Sequence, residues 1–385
     1  MKKNLTFTRT VMQATRFFGV LLVSFIAVFA FSCKNKSTDF SEISGTIISQ
    51  DKNGNVITDI TAGILESAGF EFGDLLTVTV DNMNGAAPYV SDYSDVERGE
   101  VLVRLTDSEY LEVAINMSSF ADRFGTFANN KKTLTGAAIS LSLAKKAAYR
   151  GKYERKHLLK SENASDFSSD TVFADFQEVT ANSIAPGVIY KSAHPSLNTA
   201  RSQAAVLLTE KTLIKTVLNM SDDAATIQEN AQNSAWYASL VKSGNVIPVD
   251  AGNDFSADEF SVKLRVTVQF MLAHNAPFLV HAVTDEDSAS FLIALLEALC
   301  GSSLADITES FMVSYENYYG LQKGDAKYAA ISQIILDLFQ DLNNGIPVTD
   351  ETVSEFASTY LTETIGLPPD TVRALRTRLT SPMLN

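Results

Sequence analysis

Short stretches in which apolar and polar residues alternate fill the chain from residue 41 to about residue 125. Clear examples are Leu75-Leu-Thr-Val-Thr-Val80 and Tyr110-Leu-Glu-Val-Ala-Ile115. A period of two is typical of strands with one buried face. The segments Asn53-Gly-Asn55 and Asn82-Met-Asn-Gly85 supply turn chemistry between such strands. We therefore predict a small, mostly antiparallel β-domain, either a barrel or a sandwich.

The pattern changes from Asp175 onward, where short apolar segments alternate with longer helical ones. The predicted strands are Gly187–Lys191, Thr216–Met220, Asn245–Val249 and Phe278–His281. The predicted helices are Thr199–Glu210, Ile227–Ser243, Ala257–His274, Asp285–Leu299 and Leu304–Tyr315, followed by a helical tail over Ala326–Leu384. Alternation of this kind indicates an α/β domain with a mainly parallel sheet flanked by helices.

The N-terminal segment has the features of a secretory signal. Its basic residues precede an apolar run from Phe17 to Phe31, and the run ends in Ala30-Phe-Ser-Cys33. This ending resembles a lipobox, which implies that the thiol of Cys33 is acylated and that Cys33 becomes the new N-terminus. An uncleaved membrane anchor is the alternative, although 15 apolar residues are short for a span. Either arrangement places the rest of the chain outside the cytoplasm.

The lipid would attach the protein to the outer membrane or to the periplasmic face of the inner membrane. The formal net charge is −14, and residues 1–32 hold four basic residues and no acid, so the remainder carries −18. Such an acidic surface excludes nucleic acid as a partner, because nucleic-acid binding depends on basic groups that neutralise phosphates. The expected partners are the membrane, through the lipid, and a protein or small-molecule ligand that the sequence does not identify.

The loop after the last predicted strand is where an α/β domain of this kind should carry its chemistry. It reads His281-Ala-Val-Thr-Asp-Glu-Asp-Ser288. With its flanks, this segment resembles the bacterial broad-specificity protein tyrosine phosphatases, which carry His-Cys-x-x-Gly-Lys-Asp-Arg here. The matching flanks are Pro186–Ala193, Lys215–Met220, Pro277–His281 and Ser314–Gly320, and the resemblance covers about residues 168–380.

The resemblance implies a catalytic loop that has lost its essential groups. Ala282 stands at the position of the nucleophilic cysteine, and Ser288 at that of the phosphate-binding arginine. Asp285 replaces the glycine and Glu286 the lysine, while Asp287 remains where the family tends to keep its general acid. His281 would be a supporting residue of the loop. An alanine methyl group cannot attack phosphorus, and a serine cannot replace a bidentate guanidinium.

Three functions stay open at this point. The first is a non-catalytic pseudophosphatase that acts as a binding or scaffold module through the old substrate cleft. The second is a phosphatase or other hydrolase that works by a non-standard mechanism, with Asp287 and a water or metal. The third is a purely structural lipoprotein. No cofactor and no metal are expected, because none of the four histidines shows a metal-ligand spacing.

The β-domain carries a second resemblance. Asp51–Ile60 and Asp107–Asn116 are similar to segments of the C-terminal domain of S-adenosylmethionine hydroxide adenosyltransferases, where the second segment helps to enclose the adenine. The domain that bears most of those enzymes' catalytic groups has no counterpart here, so the resemblance implies a binding or packing module. Asn55 and Asn116 are the candidates for contact with a nucleoside.

The expected domain organisation follows from these segments. It comprises a signal peptide at 1–32, a tether at 33–42, the β-domain at 43–125, a connector at 126–167 and the phosphatase-like domain with its helical tail at 168–385.

Overall fold

A computed structural model gives the fold of the protein and describes residues 42–80, 83–128, 131–283 and 288–382. Cys33, Asp285, Glu286 and Asp287 lie outside these ranges. None of the helices within them is long and apolar enough to cross a membrane.

The N-terminal part is a β-domain built from alternating segments of the kind that the sequence predicts. In β3, for example, Leu76, Val78 and Val80 are buried while the residues between them are partly exposed. The strands are β1 Ile43–Gln50, β2 Val56–Thr61, β3 Leu75–Val80, β4 Met83–Pro88, β5 Val101–Leu105, β6 Tyr110–Ile115, β7 Thr126–Ala128, β8 Lys131–Thr133 and β9 Ala138–Lys145. The helices are α1 Ala62–Ser67 and α2 Phe120–Phe124.

Seven of these strands form one antiparallel sheet that is nearly closed. Their order is β4-β3-β9-β1-β2-β6-β5. The two edge strands approach each other, because Tyr89 beside β4 forms an isolated bridge with Val103 in β5. Side chains from both halves of the sheet, such as Ile47, Val78 and Val113, are fully buried in a common core. The strands β7 and β8 form a separate hairpin.

The expectation that residues 126–167 form only a connector is wrong at one point. This range includes β9, which pairs with β1 on one side and with β3 on the other. Its inward residues Ile139 and Leu141 are buried in the core of the β-domain. The strand was missed because a central position depends on two partners distant in sequence. The range continues with α3 Arg150–Lys156, and α4 Asp170–Phe173 follows it.

The C-terminal part is centred on a mixed five-stranded sheet. The strands are β10 Gln177–Val179, β11 Ile189–Ala193, β12 Thr216–Asn219, β13 Val246–Pro248 and β14 Phe278–Ala282, in the order β10-β11-β14-β12-β13. β10 pairs with β11 in the antiparallel sense, and the other three pairings are parallel. β14 is buried on both faces, which explains its uninterrupted apolar run.

Helices cover both faces of this sheet. They are α5 Ala200–Lys211, α6 Ala224–Asn230, α7 Ala235–Lys242, α8 Asp258–Ala273, α9 Ser288–Cys300, α10 Leu304–Tyr319, α11 Ala326–Leu342, α12 Val353–Thr359 and α13 Pro369–Thr380. Val217 and Leu279 face a core shared with Tyr237 of α7. Leu218 and Val280 face a larger core that includes nearly all of α9.

The helix predicted over Ile227–Ser243 is broken in two. α6 ends at Asn230, and α7 begins only after Ser234, whose backbone is extended and whose hydroxyl accepts from the N–H of Tyr237. Residues Ala231–Asn233 form a 3-10 turn between them. Polar residues at this point favour a cap over continuation of the helix, because their side chains compete for backbone groups.

Candidate functional site at the carboxyl edge of the mixed sheet

Three parallel strands end side by side at one edge of the mixed sheet. Ala193, the last residue of β11, lies opposite Ala282, the last residue of β14, and Asn219 at the end of β12 lies opposite His281. The loops that follow the three strands therefore meet at this edge. In open α/β sheets such an edge is the usual place of a ligand site.

Ala282 is buried, with 3% of its surface exposed, and its methyl group occupies the strand end where the resemblance places a nucleophile. The next residue, Val283, is half exposed, and its N–H donates to Oγ of Ser221 at 3.1 Å. This hydrogen bond fixes the first residue of the loop to the loop after β12. Ser288 is buried at the start of α9. Asp285, Glu286 and Asp287, the other candidate residues of the loop, lie outside the described residues.

His281 points into the interior below the loop and is completely buried. Its Nε2 lies 3.3 Å from Oη of Tyr237, and its ring meets that of His194 edge to face, with centroids 4.3 Å apart. Among the described residues, its Nδ1 has no hydrogen-bond partner. Burial, followed by the proximity of His194, holds the pKa of His281 well below 6.5, so the imidazole is neutral.

Asp222 is the centre of a buried hydrogen-bond network behind the loop. Its Oδ2 accepts from Nε2 of His194 at 2.9 Å, from Nδ2 of Asn219 at 3.1 Å and from Nδ2 of Asn230 at 3.0 Å. Burial by itself would raise the pKa of this carboxyl group. The hydrogen bonds outweigh burial and lower the pKa, so Asp222 is ionised.

His194, Asp222 and Tyr237 were not predicted from the sequence as members of one site. One signal was available, because His194 directly follows β11 and Asp222 lies three residues beyond the end of β12. Residues just past the ends of parallel strands converge at one edge of a sheet. Tyr237 gave no such signal, because it joins the network from inside α7, with Asn219 Nδ2 donating to its Oη at 2.9 Å.

His194 has no nitrogen available for proton transfer to a substrate. Its Nε2 faces Asp222, and its Nδ1 accepts from the N–H of Ser196 at 3.2 Å. These partners assign the proton to Nε2. The imidazole is buried, and its role in this arrangement is to join the loops after β11 and β12.

A second polar network lies on the opposite face of β11, between α9 and α10. Nζ of the buried Lys191 donates to Oγ of Ser290 at 2.8 Å and to Oγ of Ser314 at 2.6 Å. The hydroxyl of Ser314 in turn donates to Oδ2 of Asp175 at 2.5 Å. Ser290 is the third residue of α9, so the buried cation is linked to the first turn of the helix that follows the loop.

The two asparagines proposed as nucleoside contacts are held within the β-domain. Nδ2 of Asn55 donates to Oδ2 of Asp51 at 3.1 Å, and Nδ2 of Asn116 donates to the carbonyl oxygen of Val96 at 2.8 Å. Asn55 is also buried. Both amides therefore stabilise turns of the domain in this structure.

The described residues contain neither a metal centre nor a reactive thiol. They contain no group of three or more His, Cys, Asp or Glu side chains that could hold a metal ion. Burial raises the pKa of the Cys300 thiol to about 12, so at neutral pH it is a protonated, unreactive group.

Residues 45–131 match the family of the SAM hydroxide adenosyltransferase C-terminal domain, which confirms the resemblance read from the β-domain sequence. No curated protein matches the chain.

Three solved structures are similar to parts of the chain. An uncharacterized conserved protein from Thermotoga maritima is 24% identical over 26% of this chain and 36% of that chain, with a TM-score of 0.24. A conserved hypothetical protein from Thermus thermophilus is 22% identical over 26% and 34%, with a TM-score of 0.20. This chain thus spans about a third of the length of each. The core catalytic domain of the PP-IP phosphatase SIW14 from S. cerevisiae, in complex with citrate, is 19% identical over 46% and 96%, with a TM-score of 0.27.

Proposed function

We propose that the protein is a pseudophosphatase: an envelope-anchored lipoprotein whose C-terminal domain binds a partner without hydrolysing it. The observation that carries the proposal is the place of Ala282. It lies at the end of β14, at the carboxyl edge of the parallel strands, with the helix α9 beyond the loop. That is the geometry in which a phosphatase of the resembled family presents its nucleophile, and here the position holds a methyl group.

The cation that such a reaction needs is also missing, and Asp287 alone remains where the resembled family tends to keep its general acid. Phosphoester cleavage by this route needs a thiolate, a cation that clamps the phosphate oxygens and an acid for the leaving group. Ser288 supplies no cation. The loop sequence adds Asp285 and Glu286 to Asp287, and each unit-charge repulsion of a phosphate at about 4 Å costs about 4 kcal/mol at an effective dielectric constant of about 20. Free N–H groups at one helix end contribute about 1 kcal/mol and do not offset three such repulsions.

The network behind the loop supports retention of the fold without catalysis. His194, Asn219 and Asn230 all donate to Asp222, and Tyr237 joins Asn219 to His281. These contacts hold the three strand ends in register while both nitrogens of His194 are engaged. His194 is therefore not available as a base for a hydrolase of another kind, which favours the scaffold function.

The proposal includes the location and the role of the β-domain. Acylation of Cys33 would attach the chain to the outer membrane or to the periplasmic face of the inner membrane, with a protein or small molecule as the partner. The internal hydrogen bonds of Asn55 and Asn116 favour a packing role for the β-domain over nucleoside binding. The acidic surface remains the argument against nucleic acid.

Assay of the purified full chain on phosphopeptide, phosphoserine and phosphoinositide panels tests the absence of catalysis. We expect turnover at the level of buffer alone. Turnover that is abolished in Asp287→Ala would overthrow the proposal and establish the alternative hydrolase.

A restored loop tests the assignment of the position. The variant carries Ala282→Cys, Asp285→Gly, Glu286→Lys and Ser288→Arg, and we expect it to bind vanadate, which the unchanged chain does not. The matched control carries the last three changes with Ala282 retained, and it should bind vanadate without forming a bond to sulfur. A folded restored variant that does not bind vanadate would show that the loop is misplaced.

The anchor has its own test. Incorporation of labelled palmitate should be present in the unchanged chain and absent in Cys33→Ser. Equal incorporation in both would contradict lipidation at Cys33.

A further inference from the structure

The segment between α3 and α4, residues 158–169, is here called the strap. It contains a 3-10 turn, Ala164–Asp166, and most of its side chains are exposed, that of Leu159 to 91%. Leu158 packs against the main core at the start of the strap. A surface segment with so few buried side chains opens at a low cost in free energy.

Three side chains of the C-terminal part form a socket that the strap covers: Arg201 of α5, Phe173 of α4 and Tyr318 of α10. The guanidinium of Arg201 lies over the ring of Phe173 at 4.5 Å and over that of Tyr318 at 4.7 Å. Its Nη1 donates to the carbonyl oxygen of Phe173. These contacts involve no residue of the strap, so the socket by itself holds the guanidinium in place.

The strap fills the socket with the groups of an acidic peptide. Nε of Arg201 lies 3.3 Å from Oε2 of Glu162, and Nη2 donates to the carbonyl oxygen of Ser161 at 2.6 Å. The guanidinium also lies over the ring of Phe167 at 5.1 Å, and that ring contacts Phe173 with centroids 5.1 Å apart. With the strap in place, 4% of the surface of Arg201 is exposed. The occupant of the socket is therefore a carboxylate, a backbone carbonyl and an aromatic ring.

The Glu162 carboxylate uses the socket incompletely. Nε and Nη2 form one edge of the guanidinium, and such an edge matches two oxygens of a carboxylate or phosphate group. Glu162 places one oxygen near this edge, its side chain is 61% exposed, and Lys160 lies 3.4 Å from its other oxygen. Exposed ion pairs of this kind contribute little to stability. A group that engaged both donors of the edge would therefore bind Arg201 more strongly than Glu162 does.

We propose that the socket is a docking site for an acidic peptide segment of a partner protein, and that the strap occupies this site until such a segment displaces it. The partner places a carboxylate or phosphate group on the Nε and Nη2 edge of Arg201 and an aromatic ring against Phe173, in the place of Phe167. This docking site goes beyond the pseudophosphatase proposal and does not depend on the absence of catalysis at Ala282.

The net charge of the chain does not exclude an acidic partner. The formal charge of −14 opposes such a partner at long range. At physiological ionic strength this repulsion is screened over about 8 Å, whereas the contact with the guanidinium is direct. The long-range charge therefore slows association more than it weakens the bound state.

Fluorescence anisotropy with a labelled peptide of the strap's own sequence, Leu158-Leu-Lys-Ser-Glu-Asn-Ala-Ser-Asp-Phe-Ser-Ser169, tests the docking site. The receptor is the purified full chain, either unchanged or with Glu162→Ala and Phe167→Ala in its strap. We expect the peptide to bind this opened variant at least about tenfold more tightly than the unchanged chain, because the strap no longer competes. The matched control, Leu159→Ala with Ser168→Ala, should bind like the unchanged chain. Equal affinity for the opened variant and the unchanged chain, or no binding to the opened variant, would overturn the proposal.

Three versions of the peptide identify the group that binds Arg201. One keeps glutamate at the position of Glu162, one has phosphoserine there and one has glutamine. We expect one of the two anionic peptides, or both, to bind the opened variant at least about tenfold more tightly than the glutamine peptide. A glutamine peptide that binds as tightly as both would show that the socket does not select an anion, and the proposal would be wrong.

A substitution in the socket provides a separate test. Arg201→Lys in the opened variant keeps the charge and removes the two-donor edge, so binding of the anionic peptides should weaken by about tenfold or more. Arg373→Lys, on an exposed surface, should leave their affinity within about twofold. Thermal unfolding checks that both receptors are folded, and the three peptides decide the question without these variants. Equal losses in both, or in neither, would refute the role of Arg201.

Sedimentation equilibrium of the unchanged chain separates a partner protein from a second copy of this chain. We expect a monomer, with the strap in its own socket. A dimer that Glu162→Ala with Phe167→Ala dissociates would mean that the socket takes the strap of a second copy. That result would overturn the assignment to a partner protein.

Discussion

Nε2 of His194 donates to Oδ2 of Asp222 across 2.9 Å and so joins the loop after β11 to the loop after β12. Both side chains are nearly inaccessible to solvent. The pair is surrounded by Asn219, Asn230 and Tyr237, so it acts as a fixed support for the strand ends.

Removal of the Asp222 carboxylate should destabilise the protein strongly. Asp222→Ala removes the acceptor that the buried His194 and Asn219 share with the half-buried Asn230, and we expect a loss of about 3 kcal/mol or more in the free energy of unfolding. Because the folded-state pKa of Asp222 lies below its ordinary 3.8, its contribution is present above that pH and is lost as the pH falls further.

Urea unfolding of both proteins between pH 7 and pH 3 measures this difference. Asp223→Ala is the neighbouring control, because Asp223 is exposed and only caps α6. If Asp222→Ala were no more harmful than this control at pH 7, the network would have no supporting role.

Glu297 should make the protein less stable as the pH rises. Its side chain is buried in α9, and burial raises its pKa to about 8, although Ser310 donates to its Oε1 at 2.6 Å. The unfolded chain ionises near the ordinary 4.5 and the folded chain near 8, so stability is full below about 4.5 and falls between these values. Glu297→Gln should remove this decline and stabilise the protein at pH 8, by at most about 5 kcal/mol.

Thermal unfolding of Glu297→Gln and the unchanged chain at pH 4.5 and pH 8 provides the comparison. The two should converge at the lower pH. A constant difference at both pH values would mean that Glu297 is not protonated in the folded protein.

Gly151 of α3 packs closely against the backbone of Ala330 in α11, and this contact sets the spacing of the two helices. A Cβ at this position would lie 2.4 Å from the carbonyl oxygen of Ala330. Gly151→Ala should therefore cost about 1–3 kcal/mol in the free energy of unfolding, because backbone atoms must move. Gly63 in α1 is the matched helical control, since a Cβ there meets no atom within 4 Å. Gly63→Ala should be neutral or stabilising, and chemical denaturation that ranks the two variants in the opposite order would contradict this packing.

Arg201 of α5 contacts both the segment before α4 and the ring of Tyr318 in α10, and so holds that segment against the domain. Its Nη2 donates to the carbonyl oxygen of Ser161 at 2.6 Å, and its guanidinium lies over the rings of Phe173 and Tyr318 at 4.5 Å and 4.7 Å. Arg201→Lys keeps the charge and loses the planar group, so cleavage by chymotrypsin between residues 158 and 169 should become faster. Arg373→Lys, on an exposed surface, should leave the cleavage rate unchanged; equal rates in all three proteins would exclude this role.

The sequence indicated the residue types of the candidate site better than it indicated their arrangement in space. The identities of Ala282 and Ser288 already argue against phosphate chemistry, because a residue type determines what a side chain can do wherever it lies. The resemblance of the β-domain made Asn55 and Asn116 candidates for contact with a nucleoside, and in the structure both donate to groups within the β-domain. Polar side chains close to turns can serve either purpose, and the contacts with Asp51 and Val96 are visible only in the tertiary structure.

Local periodicity was enough to predict β3, β6, β14 and α8. The order of apolar and polar residues within each segment indicates whether one face or both faces are buried. The central place of β9 and the hydrogen bond between His194 and Asp222 were decided only by tertiary structure. Each depends on residues that are far apart in the chain, and no local pattern records which distant segment will supply the partner. The sequence by itself thus determined that Ala282 cannot act as a nucleophile. The fold decided that Ala282 lies at a strand end beside two loops that His194 and Asp222 join.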